Sequence, residues 1–282
     1  MIPRETLMTV RRLASRANPR IKDWAGLGSR AHRESLGLTM AEGATLAGEA
    51  LAAARSGCEL FSPKCLLVSD SGAEREEAGE LFRLAGDLGV ERFSLTDDCY
   101  DKVSELKNAD GLAVLLGFTR AETDFAASLA QPNAKWLVAA GVQDPGNAGA
   151  LARTALAAGA SGCIFLDGVD PVSPKFLRGS MGAAFHLPCL SVPTGSFIRD
   201  WPAGSARLVL ADGASGPSFR TTDYAPPVAL MVGGERGIPQ EILALPHETT
   251  HIPLHGGMES LNLAVAAGVI LFTAEAQWSD GE

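Results

Sequence analysis

The chain has no Cys-x-x-Cys pair, no apolar run long enough to cross a bilayer, and no overall excess of positive charge. Its five cysteines, Cys58, Cys65, Cys99, Cys163 and Cys189, are scattered and odd in number. That count leaves no complete disulfide framework, so buried free thiols in a reducing cytosol are expected. The longest apolar run, residues 263–272, is too short for a membrane span. Charged Arg4 and Glu5 stand where the apolar core of a secretory signal would begin, so no leader is expected. A soluble, cytoplasmic protein is the reading. Net charge is −9, the wrong sign for a protein that coats nucleic acid. There is no internal repeat and no low-complexity tract.

What is present suits a globular chain with room for two domains: 282 residues, 46% hydrophobic and 20% charged. Charge is unevenly spread. Residues 1–33 hold eight basic side chains against two acidic ones. Arg11, Arg12, Arg20, Lys22 and Arg30 are therefore candidates for local phosphate contact. On charge alone, a solvated helix face accounts for them equally.

Along the chain, residues 5–35 read as helical, broken near Asn18-Pro19 and Gly26-Leu27-Gly28. Strands at 36–41, 65–68, 93–95 and 112–117 then alternate with helices at 44–55, 73–85 and 97–106, a compact α/β/α unit. Residues 118–133 change character and read as a linker. Beyond it, apolar strands at 136–140, 163–166, 207–211, 228–232 and 250–252 are of the type buried in a parallel sheet. A helix is expected to start at Asn147, and another from Ser173-Pro174 through Met181. The last helix, 261–277, is apolar almost all round. Such a helix needs partners on every side, either by threading the core or by meeting another subunit.

Three segments concentrate polar groups where strands hand over to loops or helices, the place where open α/β sheets hold ligands. Asp144-Pro145-Gly146-Asn147 follows an apolar strand, with Arg153 one to two turns further on. The arginine either faces a ligand or pairs with a nearby carboxylate. Gly233-Gly234-Glu235 follows another strand, and reads as a close backbone approach to a ligand or as a surface turn. Ser260-Leu261-Asn262 opens the last helix. Ser260 alone reads as an N-cap, and Asn262 in a first turn would add a buried polar group that needs a partner. Gly146-x-x-Gly149 falls short of a dinucleotide fingerprint, and no P-loop lysine follows. His247, His251 and His255 are spaced like metal ligands, but Pro246 and Pro253 prevent one helix from presenting them. No metal site is expected.

Together these segments resemble the three motifs of the SpoU-type RNA ribose methyltransferases of the SPOUT superfamily. The first is Asp144-Pro145-Gly146-Asn147-x-Gly149 through Arg153-Thr154-Ala155. Between motifs, Ser173-x-Lys175-x₂-Arg178-Gly179-Ser180-Met181-Gly182-Ala183 also fits. The second is Gly233-Gly234-Glu235, one residue shorter before Gly237 than is usual. The third runs from Ile252-Pro253-Leu254 to Ser260-Leu261-Asn262. The stretch from Asn18-Pro19-Arg20-Ile21-Lys22 to Glu42-Gly43 is similar to that family's substrate-binding domain, although Asn108-Ala109-Asp110-Gly111 replaces a commoner Thr/Gln-containing segment.

The resemblance implies an α/β fold in two parts. Residues 1–117 would form a ribosomal-protein-like RNA-binding domain, 118–133 the linker, and 134–282 a trefoil-knotted SPOUT domain with a parallel sheet. It implies a homodimer through the last helix and the cofactor S-adenosylmethionine. Gly233, Gly234, Ile252, Leu254 and Leu261 would bind that cofactor. Asn147, Arg153, Glu235, Ser260 and Asn262 match the catalytic set. Lys175 and Arg178 join the N-terminal basic residues as RNA contacts. The implied reaction is methyl transfer to a ribose 2′-hydroxyl of ribosomal RNA. Transfer RNA is the alternative substrate, and a non-catalytic RNA-binding protein on the same fold the alternative class.

Overall fold

A computed structural model describes residues 1–3, 10–118, 124–211, 216–234 and 237–279. It divides into two compact units: Met1–Arg120 with Val172–Arg178, and Ala121–Pro171 with Gly179–Glu282.

The first unit contains β1 (Arg11–Leu13), α1 (Pro19–Ala25), α2 (Arg30–Leu36), β2 (Leu38–Glu42), α3 (Ala44–Arg55), β3 (Phe61–Ser69), α4 (Ala78–Asp87), β4 (Glu91–Leu95), α5 (Asp97–Val103) and β5 (Leu112–Phe118). The five strands form one mixed sheet in the order β1-β4-β3-β5-β2. Local chemistry sets the helix ends. The Asn18 side chain accepts the Arg20 amide at 3.0 Å with Pro19 at the first helical position. Gly37, at φ 62°, ends α2. Alternate residues of the strands divide between two faces. Cys65, Leu67, Phe93 and Leu115 pack with Ile21, Trp24, Cys99 and Tyr100 of α1 and α5. On the opposite face α3 and α4 pack together and onto β3. Burial pushes the Cys65 thiol up to about 12, which makes it an inert core residue.

The second unit contains α6 (Phe125–Leu129), β6 (Lys135–Ala140), α7 (Pro145–Ala157), β7 (Gly162–Leu166), the last two residues of α8 (Pro174–Ser180), whose first five belong to the first unit, then β8 (Cys189–Val192), α9 (Thr194–Arg199), β9 (Arg207–Ala211), β10 (Val228–Gly233), β11 (Glu248–Thr250) and α10 (Leu263–Ser279). Its six strands run in the order β11-β9-β10-β6-β7-β8 and every pairing is parallel. The chain first builds outward through β7 and β8. It then returns to the other side of β6, where β10 inserts between β6 and β9. That reversal creates the switch point at which open parallel sheets form ligand clefts.

One face of this sheet carries Trp136, Val138, Ile164, Leu210 and Met231 against Phe197, Trp201, Phe125 and Leu129. The other carries Leu137, Val209 and Leu230, which share a narrow apolar seam with Ala267, Ile270 and Leu271 of α10. Each fully buried aliphatic side chain in such a seam contributes roughly 1.5–3 kcal/mol.

Several expectations are corrected. The N-terminal stretch read as wholly helical holds β1, recruited as an edge strand by parallel pairing with β4. Residues 118–133 are not bare linker, because α6 buries Phe125 and Leu129 in the second unit's core. The charged helix starts at Ala78 and runs through Gly86 to Asp87. No described helix is long and apolar enough to cross a membrane.

Phe197 is fully buried, stacking on Phe125 with ring centroids 5.8 Å apart and lying 5.3 Å from Trp201. Phe197→Ala should cost about 3–5 kcal/mol of stability, read from urea unfolding followed by tryptophan emission.

Candidate active site

The carboxyl ends of β9, β10 and β11 lie side by side. Ala211, Val232, Gly233, Gly234 and Thr250 at these ends join His251, Ile252, Leu254 and Glu259–Leu261 of the following loop. Leu263, Ala266 and Ile270 of α10 complete the lining of one cavity of about 430 Å³. That volume lies within the range of roughly 300–1,000 Å³ typical of small-molecule sites. Most of the wall is apolar, with a few polar groups converging on it.

Glycine is required where β10 ends. The Gly234 amide donates to the Ala140 carbonyl at 2.8 Å. A Cβ on Gly234 would lie 2.9 Å from the Gly141 carbonyl oxygen and 3.0 Å from that of Ala140. A Cβ on Gly233 would sit 2.8 Å from the Gly237 carbonyl carbon. Bare backbone therefore forms this edge of the cavity, where amides and carbonyls can meet a ligand at close range.

The floor is tied down by a buried polar network. The Thr250 and Thr222 hydroxyls lie 2.8 Å apart, and the Tyr224 hydroxyl donates to the Phe219 carbonyl at 3.0 Å. Gln277 accepts from the Tyr224 amide at 2.8 Å and donates to the Thr222 carbonyl at 2.9 Å, while the Trp278 indole donates to the Tyr224 carbonyl at 2.8 Å. The end of α10 thus clamps the loop that braces Thr250. Burial raises the Tyr224 pKa, which keeps its hydroxyl a donor.

Helix α7 begins at Pro145, not at Asn147 as expected. Asp144 is its cap, accepting the Asn147 amide at 2.9 Å. Capping by Asp144 leaves the exposed Asn147 side chain with no hydrogen bond among the described residues. Arg153, two turns along, is exposed and forms no ion pair or hydrogen bond among the described residues. Small residues let α7 approach its neighbours. A Cβ on Gly149 would overlap the backbone of Gly179 and Ser180, and one on Gly268 of α10 would sit 3.4 Å from the Thr154 methyl. Helices α7 and α10 pack directly together.

Of the residues singled out in the sequence, Gly233, Gly234, Ile252, Leu254, Leu261 and Ser260 share the cavity. Asn147, Arg153 and Asn262 are not among its lining residues. Glu235 lies outside the described residues. Asn262 is not a buried first-turn residue: it is exposed and caps α10, its Oδ1 accepting the Ala264 amide at 3.0 Å and the Val265 amide at 3.4 Å. Thr250, His251, Glu259 and Ala266 were not anticipated. His251 and Glu259 directly adjoin motif residues, which was the one available signal. Thr250 carried none, because its role depends on strand neighbours.

Most of the basic candidates are engaged with acids. Arg11 pairs with Glu91 at 3.1 Å, Arg30 with Glu34 at 2.9 Å, and Arg20 approaches Glu91 at 3.8 Å while lying 4.9 Å over the Phe93 ring. Arg12 grips Asp70 through two 2.8 Å bonds. Exposed pairs of this kind are worth about 0–1 kcal/mol and exchange readily for phosphate. Lys22 is exposed and carries no such bond among the described residues. Arg178 differs, lying 3.6 Å from the fully buried Glu42 carboxylate and 3.4 Å from Glu105. Burial raises the Glu42 pKa, against the pull of Ser104 and Arg178. Arg178 is thereby a structural counter-ion. Lys175 also has an interaction partner.

A cavity over the carboxyl ends of parallel strands, edged by glycine backbone and closed by a terminal helix, suits a nucleotide-like cofactor. Residues 134–272 match the SpoU rRNA Methylase family, and residues 18–114 match an MRM3-like substrate binding domain. A 23S rRNA (guanosine(2553)-2′-O)-methyltransferase, RlmP of Bacillus subtilis (strain 168), is 28% identical over 93% of this chain and 98% of its own. The 23S rRNA (guanosine-2′-O-)-methyltransferase RlmB of Xylella fastidiosa (strain 9a5c) is 30% identical over 76% of this chain and 88% of its own. Among solved structures, an AdoMet-bound rRNA methyltransferase from Sinorhizobium meliloti superposes with a TM-score of 0.77 at 28% identity, covering 95% of this chain and 98% of that one. The chain belongs to the SpoU rRNA methylase family.

The cap predicts a stability signature. Asn262→Ala should cost about 1 kcal/mol in thermal or chemical unfolding, and Asn262→Asp should recover most of that loss.

Proposed function

We propose that this protein transfers a methyl group from S-adenosylmethionine to a ribose 2′-hydroxyl of ribosomal RNA. The observation that carries the reading is the single cavity where Gly233, Gly234, Ile252, Leu254, Ser260 and Leu261 converge from two separate motifs. Its size and composition fit the cofactor: glycine backbone at one edge offers hydrogen bonds to an adenosyl group, and apolar walls receive its base and carbon chain. When bound, the cofactor supplies a methyl group on an electrophilic sulfonium.

In this reading the protein's own residues bring the 2′-oxygen to that methyl and remove its proton. A guanidinium has a pKa above about 12, so Arg153 is a poor base near neutrality. Free of carboxylate partners among the described residues, it instead binds the adjacent phosphate and stabilises charge developing on the oxygen. Ser260, a phosphate or water takes the proton. Asn147 and Asn262 position the ribose, and Glu235 belongs to the same set.

The domain plan follows: residues 1–117 hold the RNA, and residues 134–282 form the knotted methyltransferase domain. Lys22 and the exchangeable Arg11, Arg12, Arg20 and Arg30 supply phosphate contacts in the first, with Lys175 adding to them. The protein acts in a reducing cytoplasm, consistent with five cysteines that form no disulfide. It works as a homodimer. Val265 and Phe272, two turns apart on α10, are 53% and 51% exposed although apolar, while Ala267, Ile270 and Leu271 are buried on the helix's other side. A second subunit would cover the exposed stripe.

Labelled methyl transfer to separate ribosomal and transfer RNA pools tests the activity. Label in ribosomal RNA, in alkali-resistant dinucleotides that mark 2′-O-methylation, is expected. Label only in transfer RNA would reassign the substrate, and cofactor binding without transfer would favour a binding protein. Arg153→Lys should lower kcat about 10²-fold or more, and near-normal turnover would exclude a need for the bidentate fork. Val265→Asp with Phe272→Asp should shift sedimentation equilibrium from dimer to monomer.

A further inference from the structure

Among the described residues lining the cavity, Glu259 is the one with a carboxylate, and no lysine or arginine lines it. The rest are apolar side chains, glycines, Thr250, His251 and Ser260. Glu259 is exposed, and it forms no hydrogen bond or ion pair among the described residues. Its charge is therefore not spent on holding the loop together, and acts on whatever enters the cavity.

We infer that Glu259 is a specificity-determining residue that makes the cavity prefer the sulfonium cofactor to its neutral thioether product. The inference rests on the cofactor reading above. In the transfer, the methyl–sulfur bond breaks as the methyl–oxygen bond forms. The bond's electron pair stays on sulfur, which becomes neutral, and the 2′-hydroxyl proton passes to solvent through the groups named above. Substrate and product share the same adenosyl and amino-acid parts, so apolar walls and backbone edges bind both alike. A full negative charge distinguishes them more strongly than the carbonyl and hydroxyl dipoles of the lining can. It strengthens binding before the reaction and loses that attraction afterwards, so product leaves more readily. Because Glu259 is exposed, its field is screened by salt.

Calorimetric titration of the full-length protein with S-adenosylmethionine, S-adenosylhomocysteine and sinefungin tests this. Sinefungin carries an ammonium in place of the sulfonium methyl. Glu259→Gln should weaken S-adenosylmethionine and sinefungin by about five- to tenfold, and leave S-adenosylhomocysteine within twofold. Glu259→Asp should retain part of the preference. The wild-type preference should shrink at 0.5 M salt. Equal weakening of all three ligands would overturn the inference, since Glu259 would then hold a group common to them. So would no change in any. A wild-type protein that binds none of the three would instead defeat the cofactor reading itself.

Discussion

The contact between the end of β10 and the end of β6 organises everything around it. Gly234 donates to the Ala140 carbonyl at 2.8 Å, and backbone atoms leave no room for a side chain there. That contact places the second motif beside the strand that leads into the first. Ala140 is followed within five residues by Pro145 and α7, so the helix carrying Asn147 and Arg153 leaves the sheet next to the glycine edge of the cavity. Register does the same on the far side, where Val232 pairs with Ala211 and Ala211 with Thr250. Three strand ends separated by many residues become one wall because β10 inserts late between β6 and β9.

The electrostatics of the second unit divide along similar lines. The cavity offers an exposed carboxylate and little positive charge. Arg153, an exposed cation on α7, is not among the lining residues. A cationic donor and an anionic RNA backbone call for such opposite surroundings. The net charge of the chain says nothing about this arrangement, because its acidic residues also neutralise Arg11, Arg12, Arg20 and Arg30 across the first unit. Exposed pairs are cheap to break, so an acidic protein can still meet phosphate locally.

The sequence made the strands of the parallel sheet legible because their burial on both faces leaves runs such as Trp136–Ala140 without polar interruption. The cavity-lining glycines and Ile252, Leu254 and Leu261 were legible because glycine and Ile-Pro-Leu at strand ends are unusual enough to be matched to a family. Other features were hidden by their dependence on distant partners. β1 is three residues of Arg-Arg-Leu that become a strand only by pairing with β4. α6 looked like connection because two buried side chains, Phe125 and Leu129, are too few to show a period. Thr250 and Tyr224 matter through each other and through Gln277, some fifty residues from Tyr224, a relation no local pattern records. Arg178 resembled an RNA contact, and its pairing with the fully buried Glu42, distant in sequence, could not be read from any local pattern.

The cap on α10 narrows what Asn262 does in the proposed reaction. Its Oδ1 already accepts the Ala264 and Val265 amides, so the lone pairs of its carbonyl are committed to the helix. What remains is the Nδ2 amide group, which only donates. Asn262 therefore has nothing to offer as a proton acceptor. It can donate to a ribose or phosphate oxygen, fixed in direction by the same bonds that start the helix. Proton removal then falls to Ser260, phosphate or water, because Arg153 also only donates. Two donors held on two packed helices, and an acceptor supplied from the loop or the substrate, form a division of labour consistent with a reaction whose oxygen gains negative character before the methyl arrives.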